Sequence, residues 1–263
     1  MTDTPSTSED SSTASKAGEE KKDWNKIIKS EAKFFTGLAA FLLVFYTTIF
    51  GHFKIPSESM QPTLEVGDHL YVSKFAYGYS KHSFPLGLHK LPFLGDGKLF
   101  AKLPTRGDVA VFRNPKSSLV MIKRVVGLPG DEVEVKSGRL FLNGKLIDRK
   151  PIDAFSYREH QGYVVDVDVY SEQWPGEKQP HIIYEQLDQG PLDNAGPFLL
   201  PEGMVFFMGD NRDNSVDSRA SNGPGLVPEE YLIGRADLMM FSFKRCKKED
   251  GLYCPPVRFL KPL

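Results

Sequence analysis

The sequence predicts a mainly β protein with a single N-terminal transmembrane helix, followed by an antiparallel β core that an inserted β-rich subdomain interrupts. Three observations lead there. The 20 residues from Phe34 to Phe53 contain no Asp, Glu, Lys or Arg. After them, short β-rich runs alternate with Gly, Pro and Asn-Gly turns. Between Asp148 and Pro201 the composition shifts toward Pro, Gln, Asp and aromatics, and apolar strands resume at Met204.

The first 33 residues open with Ser, Thr, Asp, Glu and Gly from Met1 to Glu20, too few large apolar side chains to offset chain entropy. This stretch is expected to be a disordered cytoplasmic tail with a basic flank. Residues 34–53 follow as the membrane span, since 20 residues at about 1.5 Å each cover roughly 30 Å, the hydrocarbon thickness of a bilayer. Lys21, Lys22, Lys26, Lys29 and Lys33 precede the run, whereas Lys54 is the sole Lys or Arg in the 20 residues after it. The positive-inside rule therefore puts the N-terminus in the cytoplasm and everything beyond Lys54 outside. A cleavable leader fits less well, because 33 residues precede the apolar run and no small-x-small pair follows it.

Residues 54–147 form the first part of the core, with strands expected at His69–Lys74, Asp108–Arg113, Leu119–Val126, Glu132–Lys136 and Leu140–Leu142. Residues 148–201 form the insertion, with a strand at Tyr163–Val169. Residues 202–263 complete the core through Met204–Met208 and Ala236–Phe243. Cys246 and Cys254 sit in a C-terminal hairpin-like stretch, where a bridge and two free thiols both fit.

Composition narrows the chemistry. Lys plus Arg number 33 against 34 Asp plus Glu, so no coat of basic charge awaits nucleic acid, and any electrostatic partner must meet a local patch. Two cysteines exclude a disulfide-rich scaffold and a four-thiolate zinc site. The six histidines occur singly, without H-E-x-x-H spacing, and G-x-S-x-G is absent. The acidic segment from Gly209 to Arg219 departs from the EF-hand pattern at Arg212 and Ser215. Neither a metal nor an organic cofactor is expected.

Three clusters remain: Ile55 to Leu64 (IPSESMQPTL), Met121 to Asp131 (MIKRVVGLPGD) and Gly209 to Arg219 (GDNRDNSVDSR). Alone, each has a structural explanation: Pro-flanked serines mark turns, a strand lysine faces water, and Asx-rich runs bond their own backbone. In this order, directly after an anchor, the combination resembles bacterial type I signal peptidase, or leader peptidase, and its relative the mitochondrial inner-membrane peptidase. The likeness runs from Phe53 to about Phe243 and is weakest in the insertion. It implies a serine endopeptidase of the inner membrane, single-pass, with its catalytic domain on the periplasmic side. Its partners would be the signal peptides of exported preproteins and membrane lipid, with the export machinery beside them and no nucleic acid.

By that resemblance Ser59 is the nucleophile and Lys123 the general base. Ser57 helps form the oxyanion hole beside the N–H of Ser59, Ser215 orients the lysine, and Asp217 and Arg219 form a supporting ion pair. Ile55, Pro56, Met60, Leu64, Met121 and Ile122 would line the substrate pocket nearest the cut, and Phe53, Leu70 and Val111 the second. The physics of the dyad is independent of the family. A lysine acts as a base only when neutral, so burial must lower its pKa by roughly two units or more, and an unpaired anion nearby would undo this. Met121, Ile122, Val125 and Val126, with Phe112, Phe207 and Val216 from the other segments, would bury it, and Asp217 should be spent on Arg219. Six residues separate Phe53 from Ser59, at most about 20 Å of chain, so the nucleophile would work near the membrane surface. Glu58 between the serines and the longer link Ala220–Leu226, which lacks Trp, depart from the family pattern. Glu58 must then point to solvent. Two other readings compete, a non-enzymatic membrane-anchored binding module and a self-cleaving Ser/Lys regulator. The first does not require Ser59, Lys123 and Ser215 together, and the anchor argues against the second.

Overall fold

The computed structural model describes residues 24–83, 97–177, 179–187, 189–242 and 249–263. The tail from Met1 to Glu20, with Lys21 and Lys22, and Cys246 lie outside them. The chain divides into two compact units, 1–43 and 44–263.

Helix α1 runs Trp24–Ile49. Its fatty side chains are exposed, with Phe34 63%, Phe41 62% and Leu43 65% accessible. The apolar run was expected to stay helical to Phe53. The structure ends the helix at Ile49 and gives Phe50–Lys54 to strand β1. An apolar run does not distinguish helix from strand by itself, and here the aromatic residues Phe50 and Phe53 pair across β2 (Asp68–Ser73). The charge-free helical stretch is thus Phe34 to Ile49, about 24 Å long. No helix among the described residues is long and apolar enough to cross a membrane.

The remaining strands are β3 (Val109–Arg113), β4 (Val120–Gly127), β5 (Glu132–Lys136), β6 (Arg139–Leu142), β7 (Lys145–Leu146), β8 (Asp148–Arg158), β9 (Val164–Gln173), β10 (His181–Glu185), β11 (Ala195–Leu199), β12 (Met204–Met208), β13 (Val227–Pro228), β14 (Leu232–Ser242) and β15 (Phe259–Pro262). An eight-stranded sheet has the order β1-β2-β14-β3-β4-β12-β13, with β15 also on β14. A four-stranded sheet has the order β11-β5-β6-β7, and β10-β9-β8 form a third. Each named pair is antiparallel. Strand β11, from within 148–201, pairs with β5 outside that segment.

Local sequence explains much of this. Along β5, Glu-Val-Glu-Val-Lys buries each valine and leaves the charges more open, the period-two pattern of a sheet with one packed face. Asn143 and Gly144 both take positive φ between β6 and β7, as a two-residue hairpin turn requires. The strands of the large sheet pack two apolar clusters. One holds Ile55, Met60, Leu64, Leu70, Val72, Val109, Val111, Ile233, Ala236 and Met239, and the other Tyr77, Ala110, Phe112, Val125, Val205, Phe207, Val227 and Leu232. A fully buried Val, Leu, Ile, Phe or Met contributes about 1.5–3 kcal/mol, so these clusters hold rigid the strand that carries Lys123. Cys254 is disulfide-bonded, and the sequence has one other cysteine, Cys246.

Candidate active site

The loop after β1 is pulled into shape from below. Ile55, Met60 and Leu64 are 2%, 0% and 0% exposed and sink into one cluster, while between them Ser57 is exposed, Glu58 half-buried and Ser59 turned inward. Backbone bonds close the loop: Gln61 N–H to Glu58 O at 3.0 Å, Leu64 N–H to Met60 O at 2.9 Å and Gly67 N–H to Ile55 O at 2.8 Å. From the C-terminal segment, Arg258 donates to the carbonyls of Pro62 and Thr63 at 3.1 and 3.0 Å and pairs with Asp68.

Lys123 lies within β4 opposite Ala110 of β3 and is 4% exposed. Its Nζ is 2.6 Å from Ser59 Oγ and 3.0 Å from the carbonyl of Ile122. Ser59 is 8% exposed. Burial lowers the lysine pKa from 10.5 to about 8, and the nearby carboxylates of Asp217 and Asp210 pull it part of the way back. At that value about a tenth of the amine is neutral at pH 7, against well under a thousandth for an exposed lysine. Ser57 Oγ stands 3.4 Å from Ser59 Oγ, on the exposed side of the loop.

The loop after β12 supplies the third side. Asn211 N–H reaches the carbonyl of Ser59 at 3.2 Å, and Gly209 lies against the same carbonyl. Asp217 accepts from Gly209 N–H at 3.0 Å and from Arg219 Nε and Nη2 at 3.0 and 2.9 Å, all buried. Burial alone would raise the Asp217 carboxyl, but Arg219 outweighs it and holds it below the ordinary carboxylate value. Asp217 thus remains an anion tied to its own guanidinium. Ser215 is 5% exposed, yet its hydroxyl has no partner at hydrogen-bonding geometry among the described residues. It lies close enough to Asp217 to help lower that carboxyl, and it is not bonded to Lys123. A buried orphan hydroxyl costs about 1–3 kcal/mol.

The residues assigned to substrate pockets divide. Ile55, Met60, Leu64, Leu70 and Val111 share one cluster, with Phe53 and Ile122 packed against it, while Pro56 is exposed. Met121 packs instead with the cluster around Phe112 and Phe207. Neighbours on a strand point to opposite faces, so Met121 and Ile122 do not share one wall. Phe112 and Phe207 stack at 4.2 Å in the interior, but Val216, expected to help bury the lysine, is 48% exposed. Glu58 is half-buried and accepts the backbone N–H of His160 at 2.6 Å, directed to the β8–β9 connection.

Two further groups were not singled out by sequence reading. Arg124, next to the lysine, meets Asp210 through Nε at 2.8 Å and Nη2 at 2.6 Å, and Thr63 bonds both partners at 2.5 and 3.0 Å. This buried pair joins the serine loop, β4 and the loop after β12. The adjacent basic residues Lys123 and Arg124 and the Gly209-Asp210-Asn211 run were the available signals. Gly209 is the second: a Cβ there would lie 2.3 Å from Ser215 Oγ and 2.4 Å from the Ser59 carbonyl oxygen. Gly209→Ala is expected to force the serine loop from the Ser215 segment, lowering stability by about 1–3 kcal/mol and activity at least tenfold. Thermal melts beside rate measurements check this, and a variant with wild-type values for both would refute the close contact.

With Asp210 held by Arg124 and Asp217 by Arg219, neither carboxylate beside the lysine is left over to ligate a metal. The arrangement is chemically a hydroxyl hydrogen-bonded to a desolvated amine, flanked by an exposed second hydroxyl.

Residues 28–241 match the family described as Signal peptidase, peptidase S26. The chain is similar to Signal peptidase I of Rickettsia typhi, with 34% identity over 84% of this chain and 83% of that one. It is also similar to Signal peptidase I of Pseudomonas aeruginosa, with 36% identity over 85% of this chain and 76% of the other. A crystal structure of a signal peptidase I from Enterococcus faecalis V583 covers 51% of this chain at 26% identity with a TM-score of 0.30.

Proposed function

This chain belongs to the peptidase S26 family of signal peptidases, a serine protease family, and on that premise we propose that it removes N-terminal signal peptides from exported precursors by a Ser59/Lys123 dyad. One observation carries the reading: the buried amine of Lys123 stands 2.6 Å from the hydroxyl of Ser59. Ser59 Oγ attacks the scissile carbonyl carbon and passes its proton to the neutral Nζ of Lys123. The oxyanion rests between the N–H of Ser59 and the hydroxyl of Ser57. Lys123 then gives the proton to the leaving amine as the C–N bond breaks, leaving an acyl ester on Ser59. Water, deprotonated by the same amine, attacks the ester and frees the enzyme. Asp217 with Arg219 props the segment that carries Ser215, whose neutral hydroxyl adds no charge beside the amine.

The substrate presents an extended segment with small side chains before the cut. Strand β1 stands at an edge of the large sheet, where such a segment can add as a further strand. Ile55, Met60, Leu64, Leu70 and Val111 form the apolar floor, with Pro56, Phe53 and Ile122 at its rim, and the shallow surface admits alanine-sized groups. Met121 supports the lysine strand from its other face.

The protein works at a membrane with its N-terminus in the cytoplasm and its β unit on the far side. The exposed aromatic and aliphatic side chains of α1 and the excess of lysines before them support this. A helical stretch of about 24 Å is accommodated by local thinning and by lysines reaching to the interface. The division we propose is a basic tail, an anchor whose helix ends at Ile49, a core to residue 147, an insertion to 201 and the core again to the end.

The test is cleavage of a synthetic precursor after Ala-x-Ala by the full chain in detergent. Ser59→Ala should lose at least about 10³-fold in kcat/KM with an unchanged melting temperature, and the wild type should still turn over in chelator. Retained turnover by the alanine variant would exclude Ser59 as the nucleophile.

A further inference from the structure

Three carboxylates converge at the end of the inserted sheet. Glu185 closes β10, Asp193 lies in the connection to β11, and Asp213 lies in the loop after β12. One oxygen of each falls within 4.8 Å of the others. Asp193 is 1% exposed and Glu185 9%.

Their hydrogen bonds hold one side of each group and leave the other idle. Asp193 Oδ2 accepts Gly190 N–H at 2.6 Å, Asp213 Oδ2 accepts the N–H groups of Gln186 and Leu187 at 2.7 and 3.0 Å, and Glu185 Oε1 accepts Arg149 Nη1 at 2.8 Å. Asp193 Oδ1 and Asp213 Oδ1 are buried without any hydrogen-bond partner among the described residues. A buried carboxylate oxygen with nothing to accept is costly in an apolar setting. Gly190 permits the convergence, since a Cβ there would lie 2.4 Å from Asp213 Oδ1 and 3.5 Å from Asp193 Oδ2. A cavity of about 550 Å³ lined by Arg149, Glu185 and Asp193 gives access from solvent.

Charge balance points the same way. Arg149 is bonded to Glu185, Arg212 is committed to Glu172, and Arg219 to Asp217. Three carboxyl groups therefore share one directly bonded guanidinium. We propose that Glu185, Asp193 and Asp213 form a calcium site. The donors are all hard oxygens, with no imidazole or thiolate, which disfavours zinc and copper. They come from three chain segments already pinned by other bonds, so they suit the irregular, high-coordination shell of calcium better than the strict octahedron of magnesium. The bound ion would tie the 186–194 connection to Asp213, two residues before Ser215, and so stiffen the segment behind the active site. The site stands independently of the peptidase reading, since either can fail alone.

The experiment uses the full chain in detergent, washed with EGTA and given calcium chloride. Equilibrium dialysis should find one ion per chain with a Kd of about 0.1–1 mM, the range of extracellular calcium modules, and the melting temperature should rise by a few degrees and saturate. Magnesium at equal concentration should give less than half that rise. Asp193→Asn with Asp213→Asn should remove both signals without changing the melting temperature in EGTA by more than the calcium shift itself. Absence of saturable binding in the wild type would overturn the proposal, and so would an undiminished calcium response in the double variant. An equal response to magnesium would overturn the assignment to calcium. The wild-type stoichiometry decides the matter even if the double variant does not fold.

Discussion

Lys123→Met is expected to abolish precursor cleavage and, at pH 6 to 7, to make the protein more stable than the wild type. The folded-state pKa of this lysine is lowered by burial from 10.5 to about 8. Folding therefore works against the charged form. Below about pH 8 the amine is charged in both folded and unfolded chains, and the folded protein bears the whole difference, at most about 3 kcal/mol. That penalty fades as pH rises from 8 to 10.5 and is gone above. Methionine keeps the stem and removes the charge, at the loss of hydrogen bonds to Ser59 and the Ile122 carbonyl. Thermal melts should show a variant more stable by several degrees at pH 6, with the advantage shrinking toward pH 10. The same titration governs wild-type rate: kcat/KM should climb about tenfold per pH unit well below 8 and level off above it. A pH-independent rate, or a variant with equal relative stability at pH 6 and 10, would mean that the amine does not sit in the environment described.

The second large effect is structural. Asp210→Ala should lower stability by about 3–5 kcal/mol, because it leaves the Arg124 guanidinium buried and unpaired. Arg124 is 6% and Asp210 1% exposed, so water cannot take the place of the lost carboxylate. For a unit of this size the melting temperature should fall by about 6–20 °C. Activity should fall with it, since Thr63 loses its anchor and the serine loop its tie to β4. The charge argument makes a further demand. Arg124→Met combined with Asp210→Leu should recover much of the lost stability, because removing both charges removes the orphan. A double variant no better than Asp210→Ala would show that the loss came from packing around Thr63 and not from an unpaired cation.

Much of the sheet was readable from local pattern. Glu132–Lys136 and Met204–Met208 were expected with the bounds the structure gives, and β2, β3 and β4 within a residue or so, because alternating burial and turn residues are short-range signals. Strand β8 was missed: its Asp-Arg-Lys-Pro opening carries little apolar pattern, and its order comes from long pairing with β9. Strand β1 was hidden inside an apolar run whose hydropathy is equally good for helix. The site followed the same division. Ser59, Lys123, Asp217 and Arg219 lay in legible motifs, and the structure brings the first two into contact and pairs the last two. Ser215 and Met121 did not fall where motif order placed them, because a hydroxyl rotor and the face of a strand depend on neighbours far away in the chain.

Fold class, many of the strands of the core and the three segments that carry Ser59, Lys123 and Ser215 were written in the chain itself, since each depends on residues within a few positions of one another. Where the helix yields to β1, the partner each buried charge meets and the depth at which Lys123 is desolvated were settled by packing alone. Burial and Coulomb energies depend on what surrounds a group in three dimensions, and for Lys123 those surroundings come from β3, from Ser59 some 64 residues earlier, and from carboxylates at 210 and 217 that lie 87 and 94 residues later.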